Sequence, residues 1–277
     1  MIAMTVAFFA VALPNAVVLR PVVNMYSKPS ADADVVSQAI YGANAAVLEQ
    51  RAGWARIRTA DEYTGWAPLA ALKLGPPYAA AGKVAMVNSL FAHIYREPSV
   101  IAHAPMLTVP FETRLEIAGG DEQEERWRQV RLADGRAGWV QTGDLIFRTE
   151  PLSTADMLAL SRRFLGLPYT WGGTSSFGYD CSGLVQMLER RHGVMLPRDA
   201  QPQADSSVLK PVSSRADLEP GDLLYFGASP QHITHTGMYL GDGQFISATT
   251  YQTPMVRIDN LDDPHWSRLL VAMRRVK

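Results

Sequence analysis

The chain has 277 residues, 47% of them hydrophobic and 19% charged, with a formal net charge of −1. That length predicts about two domains, or three small ones. The even charge balance offers no basic surface for nucleic acid and no charged block for a disordered tail. A single cysteine excludes an internal disulfide framework and a cysteine-rich zinc site.

Residues 1–15 read either as an export leader or as an ordered N-terminal arm. Ile2 to Leu13 is apolar, with the length of a signal h-region, and Ala10-Val11-Ala12 resembles a cleavage site. No Lys or Arg precedes this run, the first basic residue being Arg20, and it is too short to span a bilayer. No other stretch predicts a transmembrane segment.

An internal repeat follows. Trp54-Ala-Arg-Ile-Arg58 and Gly65-Trp66 recur as Trp127-Arg-Gln-Val-Arg131 and Gly138-Trp139, an offset of 127 − 54 = 73 residues. Ala60-Asp61 and Ala133-Asp134 coincide at the same offset. Each copy reads as a strand, a tight turn at Ala-Asp and a returning strand. Short β-like runs precede each copy, at Val17–Leu19, Val35–Ile40 and Ala45–Leu48, then at Val84–Val87, Ile94-Tyr95 and Leu115–Ile117. Short strands between Gly and Pro punctuation predict two small all-β barrels, over 16–75 and 83–148. The Gly-Trp hairpin resembles bacterial SH3-like domains, which often accompany cell-wall enzymes. Trp54, Trp66, Trp127 and Trp139 read as packing residues of the hairpins. Leu74-Gly75-Pro76-Pro77 and Thr149-Glu150-Pro151 read as linkers.

Past Pro151 the pattern changes, and 153–277 reads as a third domain. Ser153 is an N-cap for a helix from Thr154 to about Leu165. A glycine-rich loop follows, Leu167-Pro168-Tyr169-Thr170-Trp171-Gly172-Gly173. Gly183 to Arg191 is amphipathic, with Leu184, Val185 and Leu188 on one side and Glu189, Arg190 and Arg191 toward solvent. Leu218 to Phe226 reads as a turn into a strand, His235 to Gly243 as a strand entering a tight turn, and Gln244 to Ala248 as its return. Helices first and an antiparallel sheet afterwards predict an α+β layout.

Cys181 lies in Asp180-Cys181-Ser182-Gly183, at or near the N-terminus of the amphipathic helix. Its polar neighbours argue against a buried filler role, and the helix terminus favours thiolate over thiol. A cysteine nucleophile needs an imidazole to take its proton and later protonate the leaving amine. Of the six histidines, His93 and His103 fall in the second barrel region, His192 follows the helix and His265 sits in a late loop. His232 lies in a Pro-containing loop, whereas His235 begins a strand and can be aimed rigidly. A helix-borne Cys facing a strand-borne His is the papain-like solution.

Five motifs in order carry a family resemblance: Pro168–Gly173, Asp180–Val185, Leu196-Pro197-Arg198, Pro220–Leu223 and His235–Gly241. They resemble the NlpC-type, papain-like cysteine peptidases of bacterial peptidoglycan, over roughly 155–277. The resemblance implies hydrolysis of the γ-D-glutamyl–diamino acid amide in peptidoglycan stem peptides. It makes Cys181 the nucleophile and His235 its general base and acid. It places the Tyr169 phenol, with the Cys181 backbone N–H, beside the oxyanion. The family's third polar residue, usually a histidine, corresponds here to Ser247, a shorter and uncharged orienter.

Asp180, Ser182 and Asp199 cluster by motif around the nucleophile. Carboxylates there would raise the thiol pKa, so their presence implies another benefit, such as a cationic substrate group. Trp171 and Gly172 are expected on the substrate side as well. In a subset of the family, Arg-Asp-Ala/Ser resembles Arg198-Asp199-Ala200, and a tyrosine from the first SH3-like domain closes a pocket for a free amine. Tyr63 matches that tyrosine. An acidic contact of the same subset is absent, since Ala43 follows Tyr41-Gly42.

These features predict a monomeric enzyme with no cofactor and no metal, acting on stem peptides with a free N-terminal L-Ala. It would work in the cell envelope if exported, or in the cytoplasm if it recycles wall fragments. Three other readings compete: a hydrolase of intact peptidoglycan, a wall-binding protein impaired at Ser247, and a cysteine acyltransferase on the same fold.

Overall fold

The alternation of small apolar and polar residues over the first quarter of the chain builds a sheet with one buried face. In Trp54–Arg58, Ala55 and Ile57 point inward while Arg56 and Arg58 are exposed. A computed structural model of the protein describes residues 15–119 and 126–277. The leader or arm expected over 1–15 therefore lies outside the described residues, except for Asn15, which opens the first strand.

The first unit is an antiparallel seven-stranded sheet. Its spatial order is 35–40, 22–26, 64–68, 54–58, 44–51, 15–18 and 72–74. The second has a five-stranded sheet, in the order 137–141, 127–131, 114–119, 84–87 and 145–146, and a separate pair, 91–94 with 107–110. An isolated bridge between Tyr95 and Trp139 joins the two sheets of this unit.

The sequence repeat is a repeat of geometry. Trp54↔Pro68 through Arg58↔Thr64 pair in the same register as Trp127↔Gln141 through Arg131↔Ala137. The turn bonds recur too: Thr59 N–H donates to Tyr63 O at 3.0 Å, and Leu132 N–H to Arg136 O at 2.8 Å. The glycine before each tryptophan lets another side chain cross the hairpin. A Cβ at Gly65 would lie 2.9 Å from Met25 Cβ, and one at Gly138 would lie 2.5 Å from Ile94 Cγ2.

The third unit places four helices against a six-stranded antiparallel sheet, as its element order implies. The helices are α1 (Thr154–Arg162), α2 (Cys181–His192), α3 (Ala200–Ala204) and α4 (Pro264–Leu269). The sheet runs 209–211, 270–276, 223–229, 232–241, 244–249 and 255–260. Ser153 caps α1, its side chain accepting from Asp156 N–H, but the helix ends at Arg162, short of the expected Leu165. The α2 helix begins at Cys181 itself and is buried along most of its length. Glu189 and Arg191, expected in solvent, are buried. The helix is sandwiched between the sheet and the two β units, so amphipathic spacing misjudged its outer face.

Tyr41 Oη accepts from Ala133 N–H at 2.8 Å and Tyr78 Oη donates to Arg131 O at 2.6 Å, joining the first two units. Phe111 of the second unit enters the core of the third, with its ring 5.3 Å from Phe164.

Candidate active site

Asp180 ends the extended approach to α2, and its carboxylate accepts from Gly183 N–H at 2.7 Å. This cap fixes Cys181 as the first helical residue, facing strand 232–241. The thiol is 8% exposed, and the backbone N–H groups of Thr236 and Ser182 donate toward its sulfur. A Cβ on Gly183 would strike Gly173 O, so the glycine lets the loop pack against the helix start.

His235 lies one residue before Thr236 on that strand, half-buried. Its Nε2 lies 3.1 Å from Ser247 Oγ, on the next strand. With the proton on Nε2 and donated to the serine, Nδ1 keeps the lone pair. The ring stacks on Trp266 of α4, with centroids 5.0 Å apart and planes at 28°, and lies 5.6 Å from Phe226. His265 and Tyr251 extend this aromatic stack at 3.9 Å.

Burial decides the charge state here. It pushes the Cys181 thiol up to about 12, Asp180 adds to the rise, and the two backbone N–H groups oppose it. Burial pulls His235 down to about 3, with nearby His265 adding to the fall. Loss of solvent therefore opposes the thiolate that the helix terminus is expected to favour. Both shifts favour the neutral form of each side chain. Tyr169, on the loop ahead of α2, is also raised by burial and then by Cys181, which leaves its phenol a proton donor.

The acidic cluster separates into two parts. Asp180 takes a bidentate pair from buried Arg198, at 2.6 and 3.0 Å. Ser182 Oγ accepts from the same guanidinium at 2.9 Å, and Arg198 Nε reaches Ser37 of the first unit at 3.2 Å. The Asp180 oxygens thus bond to Arg198 and the helix cap. The Ser182 hydroxyl is tied into the same network. Asp199 is different. It precedes α3 without capping it, and it accepts from Tyr63 Oη at 3.1 Å.

Trp171 and Gly172 meet the first unit. Trp171 Nε1 donates to Val35 O at 3.0 Å while the ring stays 71% exposed. A Cβ on Gly172 would come 2.7 Å from Val35 Cγ1. Both residues, expected on the substrate side, touch the first unit at Val35. Sequence reasoning missed Trp266 and the central place of Arg198. The Leu196-Pro197-Arg198 motif carried a signal for Arg198; nothing near Trp266 did. Among the described residues, no group of His, Cys, Asp and Glu could hold a metal ion, and no helix is long and apolar enough to cross a membrane.

Comparison with known proteins adds the lineage. The NlpC/P60 family matches residues 166–275, and the bacterial dipeptidyl-peptidase Sh3 domain matches 25–72. A gamma-D-glutamyl-L-lysine dipeptidyl-peptidase of Bacillus cereus is 29% identical, over 86% of this chain and 74% of the relative. Its Bacillus subtilis namesake is 27% identical, over 87% and 81%. Dipeptidyl-peptidase 6 of Lysinibacillus sphaericus is 26% identical, over 91% and 93%. The crystal structure of an NlpC/P60 family protein from Bacillus cereus superposes with a TM-score of 0.82, over 95% of this chain and 99% of that one, at 24% identity. The chain carries an NlpC/P60 domain behind a bacterial dipeptidyl-peptidase SH3 domain, assembled in the fold of that Bacillus cereus protein.

Proposed function

We propose that the protein is a cysteine endopeptidase that cleaves the γ-D-glutamyl–diamino acid bond of peptidoglycan stem peptides bearing a free N-terminal L-Ala. Cys181 Sγ attacks the γ-carbonyl while His235 Nδ1 takes the thiol proton, so the charged pair forms during attack. Tyr169 Oη and the Cys181 N–H donate to the developing oxyanion. Collapse breaks the C–N bond, and His235 returns its proton to the departing amine of the diamino acid. Water, deprotonated by His235, then cleaves the γ-glutamyl thioester and frees Cys181. Ser247 orients the imidazole throughout.

The Tyr63–Asp199 bond carries the choice of a free N-terminus. It sets a tyrosine of the first unit over the carboxylate that follows Arg198, which suits one ammonium group. The dipeptidyl-peptidase names of the relatives support the same reading. We extend the SH3-like description to residues 83–148, on the strength of the repeated hairpin register.

Incubation with L-Ala-γ-D-Glu-diaminopimelate and, separately, with intact sacculi tests the proposal by mass analysis. Release of diaminopimelate from the tripeptide alone is expected. Release from sacculi at a comparable rate points instead to wall remodelling. No cleavage of either, with wall binding retained, supports an impaired centre. Ser247 motivates that second reading, and its 3.1 Å bond to His235 argues against it.

A further inference from the structure

A cavity of about 610 Å³ lies between the first unit, the second unit and α2. None of Cys181, His235, Tyr169 or Asp199 lines it. Its volume falls within the range of small-molecule sites. Its walls carry three guanidiniums, Arg114, Arg190 and Arg191, and two carboxylates, Asp61 and Glu112.

Both carboxylates are already engaged. Glu112 pairs with Arg190, and Asp61 accepts from Thr59 Oγ1 at 2.5 Å and from Gln186 Nε2 at 3.0 Å. Arg191 is only 9% exposed, and among the described residues it makes no ion pair. Its Nε is buried without a hydrogen-bond partner, and the neighbour of its Nη1 is the Met86 thioether at 3.9 Å. Sulfur is a weak, uncharged acceptor. A desolvated cation with no counter-charge is costly to a fold. Exposed Arg114, on the same wall, also makes no ion pair among the described residues.

We propose that this cavity is a second binding site, for a small anionic ligand bearing a carboxylate or phosphate group. Arg191 is the buried anchor and Arg114 the second cation. Asp61, Gln186 and Thr59 offer polar edges for the rest of the molecule. Because two β units and α2 all line the cavity, an occupant would brace the assembly around the helix that begins at Cys181.

Calorimetric titration and thermal unfolding of the full chain, with inorganic phosphate or succinate against chloride at matched ionic strength, test this. At least one of the two anions is expected to bind saturably and raise the unfolding temperature. Cys181→Ala should bind as the wild type does, because the site is separate. Arg191→Met should weaken binding at least tenfold, and Arg114→Ser several-fold. The exposed position of Arg114 keeps the test decisive even if Arg191→Met folds poorly. Binding of phosphate alone assigns a phosphate ester, and binding of succinate alone assigns a carboxylate ligand. No saturable effect beyond chloride, or undiminished binding by Arg114→Ser and Arg191→Met, would overturn the proposal.

Discussion

His235 depends on a single hydroxyl for its second nitrogen. Ser247 is fully buried, so removing its oxygen leaves Nε2 facing apolar surroundings with no replacement from bulk water. Ser247→Ala should cost about 1–2 kcal/mol of imidazole positioning, or roughly tenfold in kcat, with KM little changed. Steady-state kinetics on the tripeptide measures that split; a larger effect on KM than on kcat would remove Ser247 from the proposed orienting role. The nucleophile invites a second measurement. Burial raises the thiol and lowers the imidazole, and both shifts favour a neutral pair around neutral pH. Alkylation of Cys181 by iodoacetamide should therefore be slow at neutral pH and climb steadily above pH 9. A plateau between pH 5 and 8 would mean a resting ion pair and contradict the neutral assignment. Cys181, His235 and Ser247 were legible as motif positions, because the proposed catalysis ties residue types to fixed positions. Their charge state was not, because it depends on burial that a motif does not encode.

Helix α2 and the two hairpins show how far periodicity reads at the level of an element. Apolar spacing identified the helix but assigned Glu189 to solvent, whereas its side chain is fully buried and both carboxyl oxygens lack partners among the described residues. Burial pushes its pKa up to about 8 from 4.5. The folded state then holds a proton that the unfolded state releases between those values. The stability linked to this proton is complete below pH 4.5 and is lost as pH rises toward 8, at up to about 1.4 kcal/mol per pH unit. Glu189→Gln cannot titrate, so urea unfolding should show it gaining on the wild type by a few kcal/mol from pH 5 to pH 8. Parallel curves for the two proteins would show that Glu189 is not a buried acid. The hairpins were read more accurately, since strand alternation and turn chemistry are local. Even so, the first turn holds Glu62 at φ +63° where its repeat has Gly135 at φ +93°. A side chain in this left-handed region is strained, and the Arg58–Glu62 pair is too exposed to offset that. Glu62→Gly should stabilise the first unit by about 0.5–1 kcal/mol after glycine's entropy cost. A lower unfolding temperature for this variant would place the ion pair above the backbone strain.

The arrangement of the three units was the least legible feature, because contacts between distant segments leave no periodic trace in a sequence. Trp171, Gly172 and Arg198 stood out as motif residues, yet their partners Val35 and Ser37 lie in a strand of the first unit read only as a β-like run, with no sign of this contact. Those contacts place Tyr63 beside Asp199, so under the proposed function substrate selection depends on docking as much as on the residues facing the substrate. Gly172 is the point where this dependence can be isolated. It sits at φ +73°, and a Cβ there would press on Val35. Gly172→Ala should therefore strain the loop by about 1–2 kcal/mol and displace the first unit. Cys181, fixed by the Asp180 cap and the sheet, has no reason to move. The expected result is a tripeptide KM raised about tenfold, with the alkylation rate of Cys181 unchanged, as the loss of about 1.4 kcal/mol of binding requires. Tyr63→Phe removes the hydroxyl alone and should raise KM in the same direction without lowering the unfolding temperature. Equal losses in KM and alkylation for Gly172→Ala would mean that the loop collapses onto the nucleophile, and docking would no longer account for selection.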